Sequence, residues 1–155
     1  MRRRRPEKRK IVPDPIYGDL VVAKFVNNLM KGGKKSIAEK IFYQCLSLIE
    51  KKEKKDKSID VFKKALKNAS PVVEVKSKRI GGATYQVPIE IPENRRLALA
   101  MRWIISFARS KKGNSMVDKL ASELIAAYNN DGSTIKKKED THKMAEANKA
   151  FAHFR

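Results

Sequence analysis

Leu20, Val21, Val22, Phe25, Val26, Leu29 and Met30 recur at the spacing of one helix face, with Asp19 placed to cap the start and Gly32-Gly33 to stop it. A second stripe, Ile37, Ile41, Cys45, Leu48 and Ile49, follows the capping-box pair Ser36 and Glu39 and runs into the charged stretch Lys51 to Lys57. A third helix opens at Ser58 and lines one face with Ile59, Phe62, Leu66 and Ala69. It ends at Ser70-Pro71, because proline disfavours helical backbone in the residue before it.

The period then changes. Val73 and Val75 alternate with Glu74 and Lys76, and Tyr85, Val87, Ile89 and Ile91 alternate with Gln86, Pro88 and Glu90. Two half-exposed strands around Gly81-Gly82 make a hairpin. Pro88 cannot donate a ladder hydrogen bond and so marks an edge, and a two-stranded ribbon must lean on helices or on a partner.

Helical spacing resumes at Pro92, a favoured first-turn residue, and continues to Arg109. The fifth helix starts at Asn114 or Ser115 after Gly113 and turns Val117, Leu120, Ala121, Leu124, Ile125 and Tyr128 toward the core. After the turn Asn129 to Gly132, residues from about Ser133 to Asn148 suit a helix with only weak amphipathicity, one expected to lie against something other than the core.

The pattern predicts a mainly α protein: a six-helix, bundle-like body with one protruding two-stranded β-hairpin and basic N- and C-terminal extensions. At 155 residues the chain is the size of one domain. Residues 1–18 form the basic arm, 19–132 the helical body with the hairpin at about 72–91, and 133–155 the C-terminal helix and tail.

Charge sharpens this picture. Thirty-six Lys and Arg against seventeen Asp and Glu leave a net +19, on a chain whose 41% hydrophobic content is ordinary for a folded protein. Self-repulsion of that size is relieved by a polyanion, and no segment combines the cationic and bulky apolar faces of an interfacial membrane helix, which points to nucleic acid. The lone Cys45 cannot form an internal disulfide and reads as a buried small hydrophobe. No run approaches the ~18 apolar residues of a membrane span, and Arg2 to Arg5 precede more charge where a signal peptide needs an apolar stretch, so a soluble protein is expected.

Enzyme chemistry finds no purchase. There is no nucleophile with a base, no paired carboxylates and no phosphate loop. One Cys and two distant histidines, His142 and His153, make no zinc pattern, so neither an enzyme nor a metal or other cofactor is expected.

Cations instead gather in places suited to phosphate. Arg95, Arg102 and Arg109 stand seven residues apart, close to two helical turns, and form one ridge of planar forks, with Arg96 beside it. Lys76, Lys78 and Arg79 flank Gly81 and Gly82, where backbone can approach a phosphate closely, although lysines protecting a strand edge would look the same. The basic arm carries Arg2, Arg3, Arg4, Arg5, Lys8, Arg9 and Lys10, and Lys34 and Lys35 follow the first glycine turn. Lys111 and Lys112 follow the fourth helix. Lys136, Lys137 and Lys138 sit in the first turn of the last helix, where cations oppose the helix dipole and an anion would be welcome, and His142, Lys143 and Arg155 continue the basic tail. Trp103 reads as core rather than as a base-stacking residue.

Two other readings stand beside RNA binding. An architectural DNA binder also joins helices to a basic ribbon, although Pro88 lies down the strand and not at the tip. An enzyme acting on RNA lacks a credible acid, base or metal site.

PVVEVKSKRIGGATYQVPIEI, the arginine pattern of the fourth helix, KKKEDTHKMAEANKAFAHFR, the early DPIYGD and the NNLMKGGKK turn together resemble the small-subunit ribosomal protein seven family of bacterial or organellar type. The likeness spans nearly the whole chain, with departures mainly at Lys51 to Lys57. It implies binding to the 3′ major domain of 16S ribosomal RNA and a part in starting assembly of the subunit head. It also implies a hairpin reaching toward exit-site tRNA and mRNA, neighbouring head and platform proteins as partners, and a place in the ribosome of the cytoplasm or an organelle. In bacterial members it further implies binding of the free protein to its own operon messenger.

Overall fold

The computed structural model describes residues 10–53, 56–113 and 115–154, the side chain of Phe154 excepted. Six α-helices and one antiparallel hairpin are present among them, in the order α1 (Leu20–Leu29), α2 (Lys35–Lys52), α3 (Ser58–Ala69), β1 (Val73–Ile80), β2 (Ala83–Glu90), α4 (Glu93–Ser110), α5 (Met116–Tyr128) and α6 (Ser133–Ala147). A 3₁₀ segment, Lys149–Phe154, follows. The mainly helical architecture with a hairpin is the one that the apolar spacing predicts. The chain divides into two compact units, one ending at Lys40 and one beginning at Ile41.

In the first unit, Asp19 caps α1 as expected, its Oδ1 accepting from Val21 N at 2.7 Å. Val22, Phe25, Val26 and Leu29 are buried at the i, i+3, i+4, i+7 positions of one face, whereas Leu20 stays 49% exposed. The helix start is held by a closed loop: Asp14 Oδ2 accepts from Ile16 N at 3.1 Å and Tyr17 N at 3.0 Å, and Asp14 O accepts from Gly18 N at 2.8 Å.

The α2 stripe differs from the expected one. The helix starts at Lys35, so Ser36 lies inside it rather than capping it. The buried positions are Ala38, Phe42, Cys45, Leu46 and Ile49, while Ile37 is 53% exposed. Both candidate faces carry large apolar residues, and spacing alone does not choose between two such stripes one residue apart. Cys45 lies on the shared edge, and burial pushes its thiol up to about 12.

In the second unit α3, α4 and α5 pack on one another. Fully buried alanines, Ala65, Ala69, Ala100, Ala108, Ala121 and Ala127, let the helix axes approach closely between the larger Phe62, Leu66, Met101, Ile104, Leu120 and Leu124. Phe42 and Phe62 meet edge to face with centroids 5.1 Å apart. Truncating a phenylalanine so enclosed costs about 3–5 kcal/mol. Asn68 of α3 donates from Nδ2 to Ala127 O and Tyr128 O, both at 3.0 Å, and so satisfies the carbonyls at the end of α5.

The hairpin register pairs Val73 with Glu90, Val75 with Pro88, Lys78 with Tyr85 and Ile80 with Ala83. Because the turn is two residues long, odd-numbered positions of β1 face even-numbered positions of β2. Val73 and Val75 therefore share a face with Pro88, while Tyr85, Val87 and Ile89 share the other with Glu74, Lys76 and Lys78. The ribbon has apolar groups on both faces, and Val87 and Pro88, one from each, are both buried. The weakly amphipathic α6 and the 3₁₀ segment pack on the ribbon. Tyr85 and Phe151 meet there at 5.3 Å.

Candidate nucleic-acid interface

At the hairpin tip Gly81 and Gly82 take φ of +56° and +89°, the positive pair that a two-residue turn needs to match strand twist, and a Cβ at either would meet nothing within 4 Å. Lys76, Lys78 and Arg79 flank them, all exposed. Lys76 and Lys78 point to one face of the ribbon and Arg79 to the other. The tip is thus an open, glycine-centred turn with cations on both sides.

On α4 the predicted ridge is present in that Arg95, Arg102 and Arg109 are all exposed, while Ala100, Met101, Ile104 and Ala108 are buried. Its first member is committed elsewhere. Arg95 donates from Nε to Glu74 Oε1 at 2.7 Å and from Nη2 to Glu74 Oε2 at 3.1 Å, a fork that ties the base of β1 to α4 and raises the guanidinium pKa. Arg96 is half-buried and donates from Nε to Ile91 O at 2.6 Å, holding the strand-to-helix junction.

Several other cations are also internal ties. Lys111 Nζ donates to Ser122 Oγ at 2.9 Å and lies 2.8 Å from Glu123 Oε2. Lys138 Nζ donates to Asn68 O at 2.7 Å. Val72 N donates to His142 Nε2 at 3.0 Å, and burial, then the Lys138 charge, lower the imidazole pKa. The neutral ring thus accepts a backbone hydrogen bond at the foot of the hairpin.

Of the other cations that the sequence singles out, Lys112, Lys136, Lys137 and Lys143 in the second unit and Lys10, Lys34 and Lys35 in the first are exposed. Lys35 Nζ lies 3.5 Å from Glu39 Oε1 one turn along. Arg2, Arg3, Arg4, Arg5, Lys8, Arg9 and Arg155 lie outside the described residues. Trp103 is half-buried.

Two acids that organise this surface escape sequence reasoning. Glu74 is one strand position among alternating charges, and its partner stands 21 residues away. Glu123 is 1% exposed: its Oε1 accepts from Thr134 N at 3.2 Å and Thr134 Oγ1 at 2.6 Å, and its Oε2 has no hydrogen bond but faces Lys111. Gly132, the N-cap of α6, has no side chain to offer, so Glu123 supplies both the acceptor and the negative charge that this helix start needs. The signal was available, because Leu120, Glu123, Leu124 and Ala127 follow helical core spacing.

Among the described residues no group of three or more His, Cys, Asp or Glu could hold a metal ion, and no helix is long and apolar enough to cross a membrane. A cleft of about 470 Å³ between α2 and α5, with Tyr43, Leu48, Ser115 and Val117 in its wall, holds neither histidine nor paired carboxylates.

Exposed cations around a helical body and hairpin are the geometry of a polyanion binder, and the sequence comparison decides its kind. The sequence model described as Ribosomal protein S7p/S5e matches residues 1–149. The chain belongs to this family.

Curated members are similar along their whole length. The small ribosomal subunit protein uS7 of Thermotoga maritima is 61% identical over 155 residues, covering 100% of this chain and 99% of the relative. Those of Petrotoga mobilis and Campylobacter concisus are 60% and 57% identical with the same coverage. Family membership makes the internal ties part of a ribosomal-protein scaffold and leaves the outward cations as its candidate contacts.

Proposed function

We propose that this chain is a structural component of the small ribosomal subunit that binds the 3′ major domain of 16S ribosomal RNA, helps start assembly of the subunit head and performs no catalysis. The observation that carries this reading is the full-length likeness to proteins named as small-subunit components. The outward cations support it. Arg102 and Arg109 on α4, Lys112 after it, Lys136, Lys137 and Lys143 on α6, and the basic arm from Arg2 to Lys10 grip phosphates. Duplex RNA hides its base edges in a deep groove, so contacts to phosphate and 2′-hydroxyl dominate. The tip with Lys76, Lys78, Arg79, Gly81 and Gly82 reaches toward exit-site tRNA and mRNA, and neighbouring head and platform proteins cover other faces. The same cationic surface binds the operon messenger when ribosomal RNA is scarce.

Arg95, Arg96, Lys111, Lys138 and His142 serve this function by holding the cationic elements in place. Charge reversal at Arg102 and Arg109 tests the reading without cutting the Glu74 fork. The wild-type protein should co-sediment with small subunits and bind a transcript of the 3′ major domain. Arg102→Glu with Arg109→Glu should bind at least ten-fold more weakly, with a salt slope shallower by roughly 0.7–0.9 per lost phosphate contact. Unchanged affinity would remove the α4 ridge from the interface. Deleting Lys78 to Thr84 should leave assembly intact but disturb exit-site occupancy.

A further inference from the structure

Of the large apolar residues exposed among the described ones, Ile11, Val12, Ile16, Tyr17 and Leu20 fall within one ten-residue stretch, while Ile37, Val72 and Met144 are scattered. Single exposed apolar side chains need no explanation, but a cluster marks a contact surface. This cluster is not an accident of slack chain. Asp14, 4% exposed, receives the N–H groups of Ile16 and Tyr17 on one carboxylate oxygen, its own carbonyl receives Gly18 N, and Asp19 then caps α1. The loop is closed before any partner arrives and presents Ile16 at 63% and Tyr17 at 39% exposure.

We propose that the loop Asp14–Asp19 presents Ile16 and Tyr17 as a stacking platform for an unpaired base of the bound RNA. The inference rests on the RNA-binding reading above and adds to it a contact that is not electrostatic. Charge selects the occupant: the loop directly follows a run, Arg2 to Lys10, with seven cations and one acid, on a chain of net charge +19. The part of RNA that offers an apolar face is a base released from its helix, and such bases stack on aromatic side chains. A platform that is already closed loses little freedom on binding, so most of the contact appears as affinity.

The test is filter binding of the full chain to a transcript of the 3′ major domain over a series of salt concentrations. Tyr17→Ala should lose about ten-fold in affinity at every concentration with the slope of log K against log salt unchanged, because stacking releases no counterions. Tyr17→Phe should bind like wild type. Ile16→Ser, at a position too exposed to matter to the core, should weaken binding in the same salt-independent way and carries the test if Tyr17→Ala fails to fold.

Wild-type affinity in both Tyr17→Ala and Ile16→Ser overturns the proposal. So does a loss that changes the salt slope, which would make the contact ionic. Normal RNA affinity with impaired incorporation into subunits also overturns it, because the occupant is then a neighbouring protein. Failure of the wild-type chain itself to bind the transcript would instead refute the RNA-binding reading.

Discussion

Arg95 of α4 and Glu74 of β1 meet through two parallel hydrogen bonds, Nε to Oε1 at 2.7 Å and Nη2 to Oε2 at 3.1 Å. A guanidinium fork on a carboxylate fixes direction as well as distance, so the pair sets how the hairpin leaves the body. Arg95→Glu should speed amide exchange through Val73 to Ser77 while the helical signal stays unchanged. The swapped variant, Glu74→Arg with Arg95→Glu, should recover part of the protection. Equal exchange in all three proteins would show that the fork does not hold the arm.

Glu123 links α5, the start of α6 and Lys111. Glu123→Ala strands Thr134 N and Oγ1 beneath the surface, and an unsatisfied buried group costs about 1–3 kcal/mol. Urea unfolding should register that loss. Glu123→Gln keeps an acceptor for Thr134 and should lose less, with the remaining difference reporting the ion pair with Lys111 and the charge at the helix start.

Gly132 and Gly82 separate strain from crowding. Gly132 has φ +91° and ψ 176°, a region that only glycine occupies readily, and a Cβ there would lie 3.0 Å from Ala126 Cβ. Gly82 has φ +89° with nothing within 4 Å. Gly82→Ala should carry backbone strain of about 1–3 kcal/mol, and Gly132→Ala that strain plus a displacement of the α5–α6 packing. Thermal melts of the two variants should therefore differ, with Gly132→Ala the less stable.

His142 gives stability a pH dependence of known sign. Its pKa in the folded chain lies below the ordinary 6.5, so between those values the unfolded chain binds the extra proton. Its contribution is present above 6.5 and is lost as pH falls through the folded value, when protonation also removes the acceptor of Val72 N. Melting temperature should drop between pH 7.5 and 5, and His142→Leu should flatten that part of the profile. A wild-type profile no steeper than that of the variant would contradict the assignment.

The elements were legible because each is punctuated locally: Asp19 before α1, Pro71 after α3, and two glycines at the hairpin tip. Which face of α2 is buried was not, because Ile37 and Ala38 begin equally good stripes and tertiary packing chooses the second. That Arg95, Arg96, Lys111, Lys138 and His142 bond within the chain was not legible in the sequence. Lys138 and His142 look like any basic residues of a tail, and their partners Asn68 O and Val72 N lie 70 residues away. Glu123 stands on the core spacing of α5, but a carboxylate is a residue type that belongs to the surface unless paired. The weak amphipathicity of α6 did not tell its place: the helix packs on the ribbon and also on α3, α4 and α5, with Ile135 and Ala145 buried.

The two-residue turn has a consequence for how this arm can vary in length. Because it puts the apolar rows of the two strands on opposite faces, a single inserted residue must either be absorbed in the turn or turn one strand over, exchanging the faces of Val87 and Pro88. Removing or adding one residue on each side of Gly81-Gly82 leaves every pairing below untouched. The reach of the tip is therefore adjustable like a telescoping strut, in matched steps, while its foot against α6 stays fixed.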